Sequence, residues 1–156
     1  MTAVPGWTDG LPYALFRANQ AVQRRLAEAI DDMGVTITQL GIAVHLDELG
    51  HLSGSDLARR FKITPQSAAA ALAALESRGW VTRVPHPFHG RVIWYEVTEA
   101  GHTGALEGRR RLAVLHDEFE RLLGGPVVDK AIARLQAVSD ALDGAEVPAV
   151  AMWPAL

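Results

Sequence analysis

The sequence predicts a mainly α-helical fold with a two-stranded β wing, and three observations support that prediction. Apolar residues recur at helical spacing over most of the chain. Two short helices near its middle are joined by the turn Ile63-Thr64-Pro65, and a strand, a tip rich in proline and histidine and a second strand follow. The order of helix, turn, recognition helix and wing is a winged helix-turn-helix arrangement, which we expect over residues 35–100.

The composition restricts the class of protein. A chain of 156 residues fits one domain with elaborated ends. No run of about 18 apolar residues predicts a membrane span, and no basic flank before a hydrophobic stretch predicts a signal peptide. We therefore expect a cytoplasmic protein that binds no membrane. The absence of cysteine excludes disulfides and thiolate metal sites.

The charge is unevenly distributed along the chain. The formal net charge is −3, but residues 51–91 carry six basic and two acidic residues, a net charge of +4, which leaves −7 on the remainder. The basic residues are Arg59, Arg60, Lys62, Arg78, Arg83 and Arg91, and the acids are Asp56 and Glu76. A basic segment on an acidic body predicts that one face of the protein contacts nucleic-acid phosphates.

A long first helix is predicted over residues 11–33, where apolar residues follow helical spacing and Gly34 ends the pattern. Thr36, followed three residues later by Gln39, is the sequence signature of a capping box. It predicts a second helix that runs to about Leu49.

The next two helices form the predicted helix-turn-helix. A short third helix through Phe61 can be capped by Ser53 or Ser55, and a fourth begins at Pro65 after the N-cap Thr64 and runs to about residue 78. Its predicted inward residues are Ala68, Leu72 and Leu75, and its predicted outward residues are Gln66, Ser67, Ala70, Ala73, Ala74 and Ser77. This small, uncharged outward surface suits a helix pressed into a DNA major groove.

The wing and the last two helices follow. Strands are predicted over 80–84 and 91–97, around a tip at 85–90 whose two prolines cannot donate hydrogen bonds to a ladder. Thr98 should cap a fifth helix that runs to about Leu123 and is stopped by Gly124-Gly125-Pro126, before a sixth helix over about 127–142.

The terminal helices are expected to form a dimer. The segments 11–34 and 101–145 have apolar faces larger than the central lobe can cover, so a second copy of the chain is the natural cover. Residues 1–10 and 146–156 are predicted to be irregular tails.

Four stretches together resemble the MarR (multiple-antibiotic-resistance regulator) family. They are GVTITQL (34–40), LARRF (57–61), LESRGWVTR (75–83) and VTEAG (97–101), with Arg91 before the last of them. The resemblance extends over roughly residues 11–142. It implies a homodimeric repressor, dimerised through its terminal helices, that binds a palindromic operator and often releases it when a small aromatic or phenolic ligand binds.

Two positions depart from the family pattern. Members often have an arginine near the position of Ala70, and their wing tip usually reads Asp-x-Arg where this chain has His89-Gly90-Arg91. Both departures remove a charged side chain: one that would contact DNA on the recognition helix, and one that would orient the arginine of the wing. They alter the expected operator sequence more than binding itself, because phosphate contacts supply most of the affinity.

The candidate DNA contacts lie in the turn, the recognition helix and the wing. Arg59, Arg60 and Lys62 can contact phosphates, Thr64, Gln66 and Ser67 can reach base edges, and Ala70 can touch a thymine methyl group; Arg83 belongs to the same basic set. Arg91 can enter a minor groove, and protonation of His89 would add a second cation beside it. Capping alone also explains Thr64, and solvated helix or hairpin charges also explain the basic residues.

The candidate ligand contacts are Tyr13, Phe16, Arg17 and His45, with Trp7 beside them. The resemblance places a ligand cleft between the dimerisation helices and the DNA-binding lobe, where these residues would line it; plain dimer core is the alternative. The six histidines have no spacing that defines a metal site, so we predict neither a metal nor another cofactor.

The sequence gives no support for an enzyme, because it has no Gly-rich phosphate loop, nucleophile elbow or paired carboxylates on a plausible cleft. The predicted function is therefore a ligand-responsive transcriptional repressor. Two alternatives remain open: a dimeric ligand-binding or interaction module of the same fold without sequence-specific DNA binding, and a metal-dependent regulator.

Overall fold

The computed structural model describes residues 6–86 and 90–143 of the chain. The helices are α1 (Leu11–Ala29), α2 (Ile37–Leu49), α3 (Gly54–Phe61), α4 (Pro65–Ser77), α5 (Glu99–Leu123) and α6 (Gly125–Asp143). The strands are β1 (Leu52–Ser53), β2 (Val81–Pro85) and β3 (Ile93–Val97), and short 3-10 turns cover Trp7–Asp9 and Asp31–Met33. None of these helices has a stretch long and apolar enough to cross a membrane.

The middle helices begin at the predicted capping residues. The Thr36 hydroxyl accepts a hydrogen bond from the Gln39 N–H at 3.2 Å, and the Gln39 side chain accepts one from the Thr36 N–H at 3.0 Å. Ser53, rather than Ser55, caps α3 through a similar box with Asp56. These reciprocal bonds satisfy backbone donors that a helix N-terminus leaves unpaired.

The first helix ends earlier than predicted. The expected helix over 11–33 was wrong at its C-terminal end, because the chain leaves the α-helical path at Ile30 and forms a 3-10 turn before Gly34. This change of direction places Ile30 in the core, where it is only 1% exposed. Gly34 has φ 64°, a left-handed conformation that favours glycine, and so ends the segment as predicted.

The wing is a three-stranded antiparallel sheet in the order β1-β3-β2, not the two-stranded hairpin that the sequence predicted. β1 is only two residues long, too short to give a periodic signal, and pairs Leu52 with Tyr95. Pro85 was expected in the tip but is the last residue of β2, in register with Ile93. The position is tolerated because β2 is an edge strand, where a missing N–H need not break the ladder.

The start of α6 also differs from the prediction. Only Gly124, with φ 87°, separates α5 from α6, whereas the sequence predicted a three-residue break that included Gly125 and Pro126. Pro126 is accommodated in the first turn of α6, where its missing N–H has no intrahelical partner to lose.

The core of the lobe is built around α2. Every residue from 41 to 46 is buried, so this helix is covered on all sides, chiefly by α4, α5 and β3. α5 lies unusually close to its neighbours, because Gly101 faces the Trp80 carbonyl oxygen and Gly108 faces the Leu40 side chain. An added Cβ at either glycine would overlap those atoms.

Asp56 should stabilise the protein at neutral pH and lose that effect in acid. The hydrogen bond from Ser53, helped by the charge of Arg59, holds the pKa of Asp56 below its ordinary value of 3.8. A carboxyl group whose pKa is lowered by folding adds stability above its ordinary pKa, and that stability is lost as the pH falls through the lowered value. Asp56→Asn should therefore reduce the free energy of unfolding by about 0.5–1.5 kcal/mol at neutral pH.

Urea denaturation at a series of pH values measures this difference. It should shrink below about pH 4, where the wild-type carboxyl group begins to bind its proton. Asp140→Asn, at an exposed position of α6, is the charge-matched control and should change little. A loss of stability in Asp56→Asn that stays constant down to strongly acidic pH would contradict the assignment.

Candidate nucleic-acid interface

The turn between α3 and α4 is fixed by its own backbone. Lys62 adopts the left-handed conformation, with φ 50°, and its N–H donates to the Arg59 carbonyl oxygen at 3.3 Å. The Ile63 N–H donates to the Ala58 carbonyl oxygen at 3.0 Å. Thr64 follows as the N-cap of α4. The direction in which α4 leaves the turn is therefore set by three consecutive residues.

The faces of α4 are those that the sequence predicted. Ala68, Leu72 and Leu75 are buried, as is Ala71. The exposed residues are Pro65, Gln66, Ser67, Ala69, Ala70, Ala73 and Ser77, and Ala74 is half-buried. The outward surface of the helix is therefore narrow and, apart from Glu76, uncharged.

The first turn of α4 carries three polar side chains with different surroundings. The Thr64 hydroxyl accepts a hydrogen bond from the Ser67 N–H at 3.0 Å, and the two hydroxyl oxygens lie 2.8 Å apart. The Gln66 amide has no side-chain hydrogen bond within residues 6–86 and 90–143. Thr64 therefore has a structural role whatever else it does, whereas Gln66 leaves both donors and acceptor available.

Both acids of the basic segment are paired with arginines. Arg59 donates to Asp56 at 2.5 Å, and Arg83 donates to Glu76 at 3.0 and 3.1 Å. Arg78 is turned towards the body of the protein, where it donates to the Met33 carbonyl oxygen at 2.8 Å. Arg59, Arg78 and Arg83 therefore each have a hydrogen-bond partner within the chain.

The segment also carries Arg60, Lys62 and Arg91. Arg60 is half-exposed and Lys62 is exposed, one at the end of α3 and one in the turn. Arg91 is exposed next to Gly90, at the start of the chain that returns into β3. The proposed wing-tip residue His89 lies outside the described residues.

Glu76 is the residue of this site that sequence reasoning undervalued. The sequence identifies it only as an acid, whereas the structure shows that it connects the recognition helix to Arg83 on the wing. The signal was present, since Glu76 is the one charged residue between Pro65 and Ser77.

The predicted ligand residues lie in two different environments. Phe16 and Arg17 are exposed and Tyr13 is half-buried on α1, with the Trp7 and Tyr13 ring centroids 6.0 Å apart. His45 is 5% exposed inside the lobe, where its Nδ1 lies 2.9 Å from the Gly41 carbonyl oxygen and its ring meets Phe61 edge-on. His45 is thus a core residue of the lobe, whereas the predicted ligand residues of α1 lie at the surface.

A groove of about 300 Å³ lies between α1 and α5. Its lining residues are Arg25, Glu28, Ala29, Arg111, Val114, Leu115 and Glu118. Arg25 donates to Glu118 at 2.7 Å across the groove and to Glu28 at 3.1 Å. None of the four predicted ligand residues lines it. Among the described residues no group of three histidine or acidic side chains is arranged to hold a metal ion.

The outer faces of α1, α5 and α6 expose a large amount of apolar surface. The exposed large apolar residues on these helices are Leu11, Phe16, Leu106, Val114, Leu122, Leu123, Val127, Ile132, Leu135, Val138 and Leu142. Scattered apolar residues are normal on a protein surface, whereas large contiguous apolar patches mark interaction surfaces.

Comparison with known proteins identifies relatives of this arrangement. A family model described as MarR family matches residues 33–92. An HTH-type transcriptional regulator of Mycobacterium tuberculosis is 34% identical over 67 residues, which cover 43% of this chain and 47% of that protein. This chain therefore spans about half the length of that relative. An HTH-type transcriptional repressor of the same species is 28% identical over 120 residues, covering 76% of this chain and 84% of the repressor.

Solved structures have the same fold. The transcriptional repressor CouR, bound to a 23-mer DNA duplex, has a TM-score of 0.80 and 25% identity, covering 85% of this chain and 94% of CouR. A variant of Escherichia coli MarR complexed with operator DNA has a TM-score of 0.76 and 20% identity, covering 86% of this chain and 99% of that protein.

Proposed function

We propose that the chain is a transcriptional regulator of the MarR family and acts as a homodimeric repressor whose binding to a palindromic operator is relieved by a small aromatic or phenolic ligand. Its fold is that of MarR-family repressors, and its relatives are regulators rather than enzymes. The observation that carries the proposal is the fixed recognition helix, with a narrow outward surface beside a basic wing turn.

Base reading is assigned to the first two turns of α4. Gln66 can pair bidentately with adenine, because its amide has no competing partner among the described residues. Ser67 can donate from a hydroxyl that is already oriented by Thr64, and Ala70 is small enough to touch a thymine methyl group. A small, uncharged surface allows the helix backbone to approach the bases closely.

Phosphate contacts are assigned to the cations at the ends of these elements. Arg60 and Lys62 lie beside the N-terminus of α4, and Arg91 extends from the wing turn, where it can enter a minor groove. Arg59 can join them only by leaving Asp56, or by contacting phosphate with the guanidinium nitrogens that this pair does not use.

Dimerisation is assigned to the apolar faces of α1, α5 and α6. Leu122 and Leu142 are 78% and 81% exposed, values that are unfavourable for leucines in a monomer and acceptable once a partner covers them. A symmetric dimer also accounts for a palindromic operator, because each copy of α4 would read one half-site.

Effector release requires a ligand that prefers one separation of the two recognition helices. The ligand would bind where α1 meets the partner chain, with Tyr13 and Phe16 as aromatic contacts and Arg17 facing an anionic or phenolate group. It weakens operator binding only by its difference in affinity between the two separations.

Gln66 should contribute to sequence selectivity. Gln66→Ala should cost roughly 1–3 kcal/mol on an operator selected from genomic fragments and should relax the preference at one base position in each half-site. Quantitative binding to operator variants and random DNA measures both effects. Gln136→Ala on α6, outside the lobe, is the matched control. An equal loss on operator and random DNA would mark Gln66 as a phosphate contact and contradict the assignment.

The chain should be a dimer at micromolar concentration. An interface formed by three helices from each copy would bury more than about 2,000 Å², which is typical of obligate dimers. Analytical ultracentrifugation measures the mass in solution. A folded species with the mass of one chain at that concentration would contradict the proposed dimer, and with it the palindromic operator.

Phenols and aryl carboxylates should raise the melting temperature of the protein and weaken its binding to the operator. A ligand that binds only the folded state stabilises it, and once the ligand concentration exceeds the dissociation constant the added stability grows with the logarithm of the ratio of the two. Cyclohexanecarboxylate, a non-aromatic acid of similar size, is the control ligand and should bind more weakly. The effector proposal fails if stabilising aromatic ligands leave operator affinity unchanged.

A further inference from the structure

An ion pair connects the recognition helix to the wing. Arg83, in the middle of β2, points its guanidinium group at Glu76 on α4, with Nε and Nη2 lying 3.1 and 3.0 Å from the same carboxylate oxygen. The guanidinium carbon also lies 6.0 Å from the ring centroid of Tyr95, the residue directly opposite Arg83 on β3. Arg83, which belongs to β2, therefore contacts both α4 and β3.

Two electrostatic effects make a negatively charged carboxylate unfavourable at the position of Glu76. It is the second-last residue of α4, and the C-terminus of a helix carries a partial negative charge that repels a carboxylate. It is also the one charged residue of a helix proposed to face DNA phosphates. Both unfavourable effects are reduced when Arg83 neutralises the carboxylate.

We propose that Glu76 and Arg83 are positioning residues: their ion pair fixes the wing against the recognition helix and thereby sets the selectivity of operator binding. This role rests on the proposed DNA-binding function. In it, Arg83 acts through Glu76 rather than through a phosphate, which revises its assignment as a DNA contact.

The place of the pair along the wing explains why it restrains motion there. The base of the wing is held where the Thr98 hydroxyl donates to the Gly79 carbonyl oxygen at 2.5 Å, while Arg91 lies at the opposite end of the strands. Arg83 lies between these two points, so its contact with α4 limits how far the wing can rock about its base. A limited rocking motion fixes the distance from Gln66 to Arg91.

That distance matters because the two residues are assigned to different grooves. On the operator, α4 and the wing can both make their contacts only if the distance between them matches the distance between the major groove and the adjacent minor groove. A loose wing can still bind phosphates on any sequence. Loss of the pair should therefore lower the affinity for the operator more than the affinity for random DNA.

The DNA arm of the test compares Arg83→Gln, Glu76→Gln and the charge swap E76R/R83E on the selected operator and on random DNA. Each single variant should lower the ratio of the two affinities about two- to five-fold per chain, the effect expected of an exposed ion pair. The salt dependence should not change, and the charge swap should restore the ratio. Arg110→Gln, a charge-matched change on α5 outside the lobe, should leave the ratio unaltered.

The opposite result would identify Arg83 as a phosphate contact. In that case Arg83→Gln would lower the salt slope by about one unit and weaken binding to all sequences alike. Glu76→Gln would release Arg83 and tighten binding, and the charge swap would make binding worse instead of restoring it. Any of these three outcomes overturns the positioning role.

A second arm needs no DNA and therefore separates this proposal from the proposed function. The chain has no cysteine, so spin labels at Ala73→Cys on α4 and Gly90→Cys at the wing turn report one distance within a chain when labelled protein is diluted into unlabelled protein. Both positions are exposed. The distance distribution should broaden in Arg83→Gln and in Glu76→Gln and narrow again in the charge swap.

The two arms fail separately. If no genomic fragment is selected over random DNA by the wild type, the proposed function fails and selectivity cannot depend on this pair, whatever the distances show. If the operator is selected but the distance distribution is the same in all variants, the ion pair does not position the wing and the inference is wrong on its own.

Discussion

The close packing of α5 against α2 and against Trp80, the residue before β2, is the constraint on which the rest of the structure depends. It is made by three glycines on one face of α5, Gly101, Gly104 and Gly108, each at a place where a Cβ would overlap a neighbouring atom. Glycine inside a helix costs about 0.5–1 kcal/mol relative to alanine. That cost is offset by a helix that lies directly on the lobe core while its far end reaches the apolar surface proposed for dimerisation. At 25 residues α5 is about 37 Å long, so it extends from the base of the wing well beyond the lobe.

Ion pairs then fix the rotation of α5 that the glycines permit. Asp47, near the end of α2, accepts hydrogen bonds from His102 at 2.5 Å and Arg109 at 3.2 Å, and its side chain is only 10% exposed. Further along α5, Arg111 pairs with Asp32, whose pKa is lowered mainly by the hydrogen bond from Arg111. Because α2, the turn after α1 and α5 are tied together in this way, a ligand that shifts α1 against the partner chain would act on the lobe as one unit. Coupling of this kind requires no melting of the recognition helix.

Features that depend on local interactions could be predicted from the sequence, whereas features that depend on contacts between distant residues could not. The starts of α2, α3, α4 and α5 follow from Thr36, Ser53, Thr64 and Thr98, since each cap acts within three residues and leaves a local signature. The end of α1 at Ile30 depends on burial, and the addition of β1 to the sheet depends on pairing between residues as far apart in the chain as Leu52 and Tyr95. No local sequence pattern contains either. The candidate site shows the same division. The outward face of α4 followed from helical periodicity, whereas the pairing of Glu76 with Arg83 required the wing to be placed beside the helix.

The paired charges also change how the basic segment should be understood. Counting residues gives a net charge of +4 over 51–91. However, Arg59 and Arg83 are partly neutralised by ion pairs with Asp56 and Glu76, and Arg78 donates a hydrogen bond to the Met33 carbonyl oxygen. Fewer positive charges are therefore available to phosphates than the count suggests, and the rest of the chain is acidic, so a single lobe would bind DNA weakly. Two lobes joined in a dimer double the number of contacts without adding charge to either surface, and the second lobe binds at the high effective concentration set by the first. An acidic body with a sparsely charged reading surface is therefore compatible with tight operator binding only if the geometry between the two lobes, and between each helix and its wing, is well defined. In such a protein, selectivity depends more on rigid placement than on the number of charges.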